Sequence, residues 1–190
     1  MTNQEKYAII YIAKDKESPK NQKGKKMSKF CAIDMDGTLF NLYGKPNWLD
    51  DLENEREGVF NEYGTNHGLM PGIERQTLQE KILNLIDRGF TFSIISWLPM
   101  GASPEYLETC RKEKLHWLAM NLPMITNIQL IPYGLEKQKA IIKKATRMYL
   151  IDDNAEVCAA WKTAKQRTAI QVDDDYNILD ALDDILIMES

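Results

Sequence analysis

Two aspartates placed at the end of a short apolar run constrain this chain more than any other feature in it. The stretch Lys29-Phe30-Cys31-Ala32-Ile33-Asp34-Met35-Asp36-Gly37-Thr38-Leu39 opens with Phe30 to Ile33, the kind of run that makes a strand buried on both faces. It stops at carboxylates spaced i, i+2, followed by a glycine that can take backbone angles other residues avoid. A buried strand that delivers two acids into a turn is costly, because unpaired buried charge is strongly unfavourable. A positive partner belongs there, most simply a divalent metal. Taken alone, Asp-x-Asp-Gly also fits an ordinary polar turn. A calcium loop of the EF-hand kind is disfavoured, since Gly37 comes two positions too early and no glutamate follows at the required spacing.

The chain has 190 residues, 44% of them hydrophobic, enough for one domain with a full core and a small insertion. A net charge of −4 gives no general reason to bind nucleic acid or an anionic membrane. The charge is uneven, though. Residues 1–29 carry eight lysines against Glu5, Asp15 and Glu17, a surplus of +5, so the remainder stands at −9. Residues 1–28 therefore read as a basic, flexible arm, with an extra strand possible over 7–13 and a Lys/Pro/Gly/Ser-rich linker over 14–28. Cys31, Cys110 and Cys158 are far apart with no C-x-x-C spacing, which argues against a zinc site or a disulfide framework, and Cys31 is expected to pack as a small hydrophobe. No stretch has the apolar length of a membrane span and the N-terminus lacks a signal-peptide pattern, so a reducing, cytoplasmic setting is expected.

Beyond the first strand, residues 41–70 are rich in Asn, Glu, Gly and aromatics, with a helix expected over 50–60 although Gly58 weakens its end. After Pro71-Gly72, apolar residues at helical spacing predict a helix over 73–88, stopped by Gly89, and a second strand over 90–95. Ser103-Pro104-Glu105 can cap and start a third helix carrying Tyr106, Leu107, Cys110, Leu115, Trp117 and Leu118 towards the core. Strands are expected over 125–131, 148–151 and 168–172, with helices after Gly134, over 155–164 and over 176–188. The alternation predicts an α/β protein: a Rossmann-like, open parallel sheet with helices on both faces. In such sheets, sites form beyond the carboxyl ends of the strands. Asp34, Ser96 and Asp152 each end a separate strand, and Lys137 can reach the same rim. Carboxylates, a cation and a hydroxyl suit magnesium plus phosphate.

Four stretches in order carry a resemblance to a known family. Asp34-Met35-Asp36-Gly37-Thr38-Leu39, Ser96 after Phe92-Ser93-Ile94-Ile95, Lys137 in Tyr133-Gly134-Leu135-Glu136-Lys137, and Asp152-Asp153 after Met148-Tyr149-Leu150-Ile151 resemble the four motifs of the haloacid dehalogenase (HAD) superfamily, the aspartate-nucleophile phosphatases. The resemblance spans residues 29–175. It implies a phosphatase domain over 29–190, with a small cap over 41–70 inserted after the first strand. It also implies that Asp34 is the nucleophile and forms an aspartyl-phosphate, while Asp36 is general acid and then base. Mg²⁺ would be held by Asp34, Asp152 and the backbone carbonyl of Asp36, with Asp153 as an outer acceptor or as the ligand itself. Ser96 and Lys137 would hold phosphoryl oxygens, with Lys139 a rival for Lys137. Asp36 favours phosphoryl chemistry, because a dehalogenase needs no acid two residues after the nucleophile. A P-type ATPase would need transmembrane helices, while mutase-like transfer remains open.

The small insertion, the Ser96-Trp97-Leu98-Pro99 turn and the Pro132-Tyr133-Gly134-x-x-Lys137 turn are similar to the 5′-nucleotidase and deoxyribonucleotidase-like branch. That likeness implies a nucleoside monophosphatase, with Trp48, Tyr63 and His67 as the cap residues to watch. The competing readings are a phosphatase for another small phosphomonoester such as a sugar phosphate, and a binding or regulatory module with vestigial catalysis. Asp173-Asp174-Asp175 is expected to be a solvated turn outside the rim.

Overall fold

The computed structural model describes residues 28–141 and 145–190. The strand expected over 7–13, and all but the last residue of the arm, lie outside the described residues. The described elements follow the expected alternation: β1 (Lys29–Ile33), α1 (Trp48–Glu53), α2 (Arg75–Asp87), β2 (Phe90–Trp97), α3 (Pro104–Asn121), β3 (Ile128–Ile131), a 3₁₀ turn (Lys137–Ala140), β4 (Arg147–Asp152), α4 (Ala155–Trp161), β5 (Arg167–Gln171) and α5 (Ile178–Met188). All strand pairs are parallel, and their order is β3-β2-β1-β4-β5. The order reverses at β1, which puts the switch point where β1 and β4 end.

Side chains of β1 alternate between two cores, as a strand covered on both faces requires. Cys31 and Ile33 pack with Leu78, Ile82 and Leu85 of α2, Trp117 of α3 and Leu182 of α5. Phe30 and Ala32 pack on the other face with Val157, Cys158 and Trp161 of α4. Burial drives the Cys31 thiol far above its usual pKa, so it behaves as the expected apolar filler. No described helix is long and apolar enough to cross a membrane.

Two local expectations need correcting. The helix expected over 50–60 ends at Glu53, with Glu55 at φ 51° and Gly58 at φ 86°. Tertiary bonds override propensity there. Glu113 of α3 accepts the Gly58 and Phe60 N–H groups at 2.5 and 3.1 Å, while the Lys45 ammonium donates to the Gly58 and Val59 carbonyls. The second correction concerns the helix expected after Gly134. It is a single 3₁₀ turn over the described residues, and residues 142–144 lie outside them. The other elements shift by a few residues; β3, for example, starts at Ile128 rather than 125. Ser103 caps α3 as expected, accepting the Tyr106 N–H at 3.2 Å.

The 41–70 segment is folded against α3 rather than standing apart from it. Trp117 donates to the His67 carbonyl at 2.8 Å and meets Phe40 edge to face at 5.4 Å, and Tyr106 donates to the Arg56 carbonyl at 2.8 Å. Trp117 is fully buried, so Trp117→Ala should lower the unfolding free energy by about 3–5 kcal/mol, read by urea denaturation.

Candidate active site

Strand register brings the acids together. Ile33 pairs with Ile151 across the β1–β4 ladder and the Asp34 N–H donates to the Ile151 carbonyl at 2.9 Å, so Asp34 and Asp152 leave adjacent strands side by side. Carboxylate oxygens of Asp34, Asp152 and Asp153 all lie within 4.8 Å of one another. Lys137 stands between two of them, its Nζ 2.6 Å from Asp34 Oδ1 and 2.8 Å from Asp152 Oδ2. Its rival Lys139 points away, exposed and paired with Glu136. Asp153 is held by Thr38, which accepts the Asp153 N–H at 3.1 Å and donates to its carboxylate at 3.4 Å.

The turn after Asp34 is tight. Met35 O accepts the Leu39 and Phe40 N–H groups, and Gly37 sits at φ 81°. A Cβ there would lie 2.5 Å from Asp153 Oδ2 and 2.6 Å from the Tyr43 ring, so the glycine is required both by its angle and by its neighbours. Asp36 turns its carboxylate away from the Asp34–Asp152–Asp153 group towards Ser96, whose Oγ lies 3.4 Å from Asp36 Oδ2.

A further site residue was not anticipated. Lys114, from the middle of α3, is fully buried and pairs with Asp36 Oδ2, while also donating to Ser96 Oγ at 2.9 Å and Trp97 O at 2.8 Å. The sequence did carry a signal for it. Tyr106, Cys110, Lys114, Trp117, Leu118 and Asn121 form one helical stripe, and all are buried, so Lys114 is a cation on an apolar face. Its charged neighbours Arg111, Lys112 and Glu113 obscure that signal.

The electrostatics follow from this crowding. Burial raises the Asp36 pKa, with Asp34 adding to the rise and Lys114 opposing it. Burial and the Asp34 charge push Asp152 up to about 7 against the pull of Lys137, and likewise push Asp153 up to about 6. Burial alone would depress Lys137, but the two carboxylates outweigh it and hold the ammonium charged. When Asp34, Asp152 and Asp153 are ionised, the Lys137 ammonium balances one of their three charges and leaves two, the charge of one divalent cation. The donor set is all oxygen, as Mg²⁺ prefers, and fits Asp34, Asp152 and Asp153 as its holders. The Asp36 side chain lies outside that set.

Among the cap residues singled out from sequence, Tyr63 packs on the core, whereas His67 is partly exposed beside Glu62. Tyr63 stands edge-on to Phe40, and His67 pairs with Glu62 at 3.2 Å. Trp48 instead backs Tyr43, edge to face at 5.2 Å, and the exposed Tyr43 borders Gly37 and feels all four acids, which with burial raise its hydroxyl pKa. On the other side, Trp97 packs on exposed Tyr133 at 5.0 Å, with Lys137 Nζ 5.1 Å above the Trp97 ring. Asp173 and Asp174 stay outside the acid group, yet with Gly37, Thr38, Met70 and Asn177 they line a cavity of about 260 Å³ beside it.

No protein-family model matches the chain, and no curated protein matches it. Several solved structures do. The HAD domain of effector protein Lem4 from Legionella pneumophila aligns over 85% of this chain and 95% of that one, with 14% identity and a TM-score of 0.48. The Legionella pneumophila effector Ceg4 covers 90% and 99%, with 13% identity and a TM-score of 0.46. A chain of the Pnkp1/Rnl/Hen1 complex covers 80% of this chain and 48% of its own length, with 16% identity and a TM-score of 0.44. At these values the likeness carries no functional argument, and the chemistry has to be read from this chain's own residues.

Two outcomes are expected. Because Asp152 and Asp153 bind protons more tightly folded than unfolded, the metal-free protein loses stability as pH rises from about 4 to about 7, and Mg²⁺ restores it. The Mg²⁺-induced rise in Tm should therefore be larger at about pH 8 than at about pH 5.5, measured by calorimetry. Gly37→Ala should abolish that Mg²⁺ response, since its Cβ collides with Asp153.

Proposed function

We propose that this chain is a phosphomonoesterase of the HAD superfamily, Mg²⁺-dependent and working through an aspartyl-phosphate on Asp34. The observation that carries the reading is the convergence of Asp34, Asp152 and Asp153 on one rim, with Lys137 bridging the first two. These residues are remote in sequence, and such crowding of like charge suits a site that handles a cation and an anion together.

Asp34 attacks phosphorus in line while the ester P–O bond breaks. Asp36, whose pKa burial raises, gives its proton to the departing oxygen. It then takes a proton from the water that attacks the aspartyl-phosphate, and breaking the bond to Asp34 releases inorganic phosphate and restores the carboxylate. Lys137 and the Ser96 hydroxyl hold phosphoryl oxygens throughout. A magnesium ion held by Asp34, Asp152 and Asp153 would neutralise phosphoryl charge and orient the ester. Hydrolysis is preferred to mutase-like transfer because it is the usual behaviour of the family that the motifs resemble.

The substrate class we favour is a nucleoside monophosphate. The aromatic pairs Tyr43–Trp48 and Trp97–Tyr133, set on two sides of the acids, offer flat apolar faces to a base. A sugar phosphate would use those faces less. Three buried free cysteines fit the cytoplasmic setting expected from sequence.

Hydrolysis of p-nitrophenyl phosphate and of nucleoside monophosphates should require Mg²⁺ and disappear in Asp34→Asn, by at least about 10³-fold in kcat. Full activity in that variant would rule out the covalent scheme. Removing Tyr43 by Tyr43→Ala should raise KM for nucleotides more than for glycerol phosphate, and an equal change for both would count against base stacking.

A further inference from the structure

The chemistry above leaves one buried cation without a task. Lys114 enters the site from α3, and its ammonium has three N–H donors. All three are engaged, by Asp36 Oδ2, Ser96 Oγ and Trp97 O. The Phe60 ring covers Nζ at 4.4 Å, and the preceding residue, Glu113, pins the Phe60 loop through two backbone amides. An ammonium so enclosed cannot turn to a phosphoryl oxygen without giving up a bond it already makes. Asp36, meanwhile, has one oxygen tied to Lys114, while the other, Oδ1, is buried and has no hydrogen-bond partner.

We propose that Lys114 is a positioning residue: it clamps Asp36 through Oδ2, so that Oδ1 faces the ester oxygen, and it fixes Ser96 as a hydrogen-bond donor to the phosphoryl group. The proposal rests on the phosphomonoesterase reading. Ser96 Oγ accepts from Lys114, so its own O–H is the group left to donate. Without phosphate that O–H has only a long contact, 3.4 Å, to Asp36 Oδ2. In the first half-reaction an Asp34 oxygen bonds to phosphorus and the bond from phosphorus to the ester oxygen breaks. The electron pair leaves on that ester oxygen, and the proton on Asp36 Oδ1 passes to it. In the second half-reaction, water attacks phosphorus, returns a proton to Oδ1 and releases Asp34. Lys114 keeps its three protons in both.

The rival role for Lys114 is that of a second phosphate ligand beside Lys137, and leaving-group chemistry separates the two. Nitrophenolate departs with little help from an acid, whereas an alkoxide needs its proton. In Lys114→Met, kcat/KM, which reports only the steps up to aspartyl-phosphate formation, should fall about 10²-fold or more on glycerol phosphate but less than about ten-fold on p-nitrophenyl phosphate. Inhibition by inorganic phosphate should weaken by no more than about three-fold, because Lys137 still holds the anion, unlike in Lys137→Met. Lys114→Arg should not restore the alkyl-phosphate rate, because a planar guanidinium cannot direct three donors from one nitrogen. Equal loss on both substrates, or weakened phosphate inhibition matching Lys137→Met, would overturn the proposal while leaving the phosphatase reading intact. A wild-type protein inactive on every phosphomonoester with Mg²⁺ would overturn both. Should Lys114→Met fail to fold, wild-type crystals with Mg²⁺ and aluminium fluoride decide the matter. Lys114 Nζ should remain on Asp36, Ser96 and Trp97, and direct contact with fluoride would refute the positioning role.

Discussion

The arrangement depends on how parallel strands end. Two neighbours in a parallel sheet, in register, deliver their next residues to the same rim, and here those residues are Asp34 and Asp152. With Asp36 and Asp153 close behind, four acids meet in a region where Asp152 is fully buried and Asp34 nearly so. Such a group repels itself, as the raised Asp152 and Asp153 pKa values register. Only opposite charge from outside the two strands relieves it. Lys137 arrives from the turn after β3 and Lys114 from α3, so the sheet, the crossover and the helix are all bound to one electrostatic requirement. A buried ion pair adds little net stability over an apolar contact of the same volume. Four acids and two lysines are therefore better understood as machinery than as glue.

The fold was legible because its signals are local and redundant. Gly89 and Pro99 flank β2, Pro132 closes β3, β1 and β4 are apolar runs that stop at acids, and Ser103-Pro104 marks α3 to the residue. What escaped was decided by contacts between segments. The helix expected over 50–60 stops early because Glu113 and Lys45 claim the backbone of residues 58–60, and no pattern within 41–70 announces a partner more than fifty residues away. The candidate site divides in the same way. Asp34, Asp36 and Asp152 follow strands and could be read directly, and the structure sets Lys137 against Asp34 and Asp152. Thr38 and Tyr43 act through a tight turn whose geometry only the folded chain reveals. Lys114 was hidden by charged neighbours although its helical position is that of a core residue.

The segment over 41–70 ties the two halves of the site together. Helix α3 presents Lys114 to the acids and, one residue earlier, Glu113 to the Phe60 loop. Tyr106, Trp117 and Asn121 of the same helix hold Arg56, His67 and Glu62. A cap anchored at so many points along one helix is a fixed wall more than a swinging lid. In the phosphatase we propose, substrate selection would fall to the exposed side chains at its edge, Tyr43 above all, and to Tyr133 across the rim.

Two carboxylates two residues apart can share a reaction only if one is charged while the other is protonated, and identical residues need unlike surroundings to achieve this. The chain supplies them through the two lysines. Lys137 faces Asp34 in company with Asp152, on the side where a divalent cation would sit. Lys114 meets Asp36 on one oxygen only and is itself shared with Ser96 and a backbone carbonyl, while burial acts on the whole Asp36 carboxyl and wins. The bonds to Ser96 and Trp97 locate the ammonium, and burial, which outweighs its pull, is what would let Asp36 carry the proton in the proposed reaction.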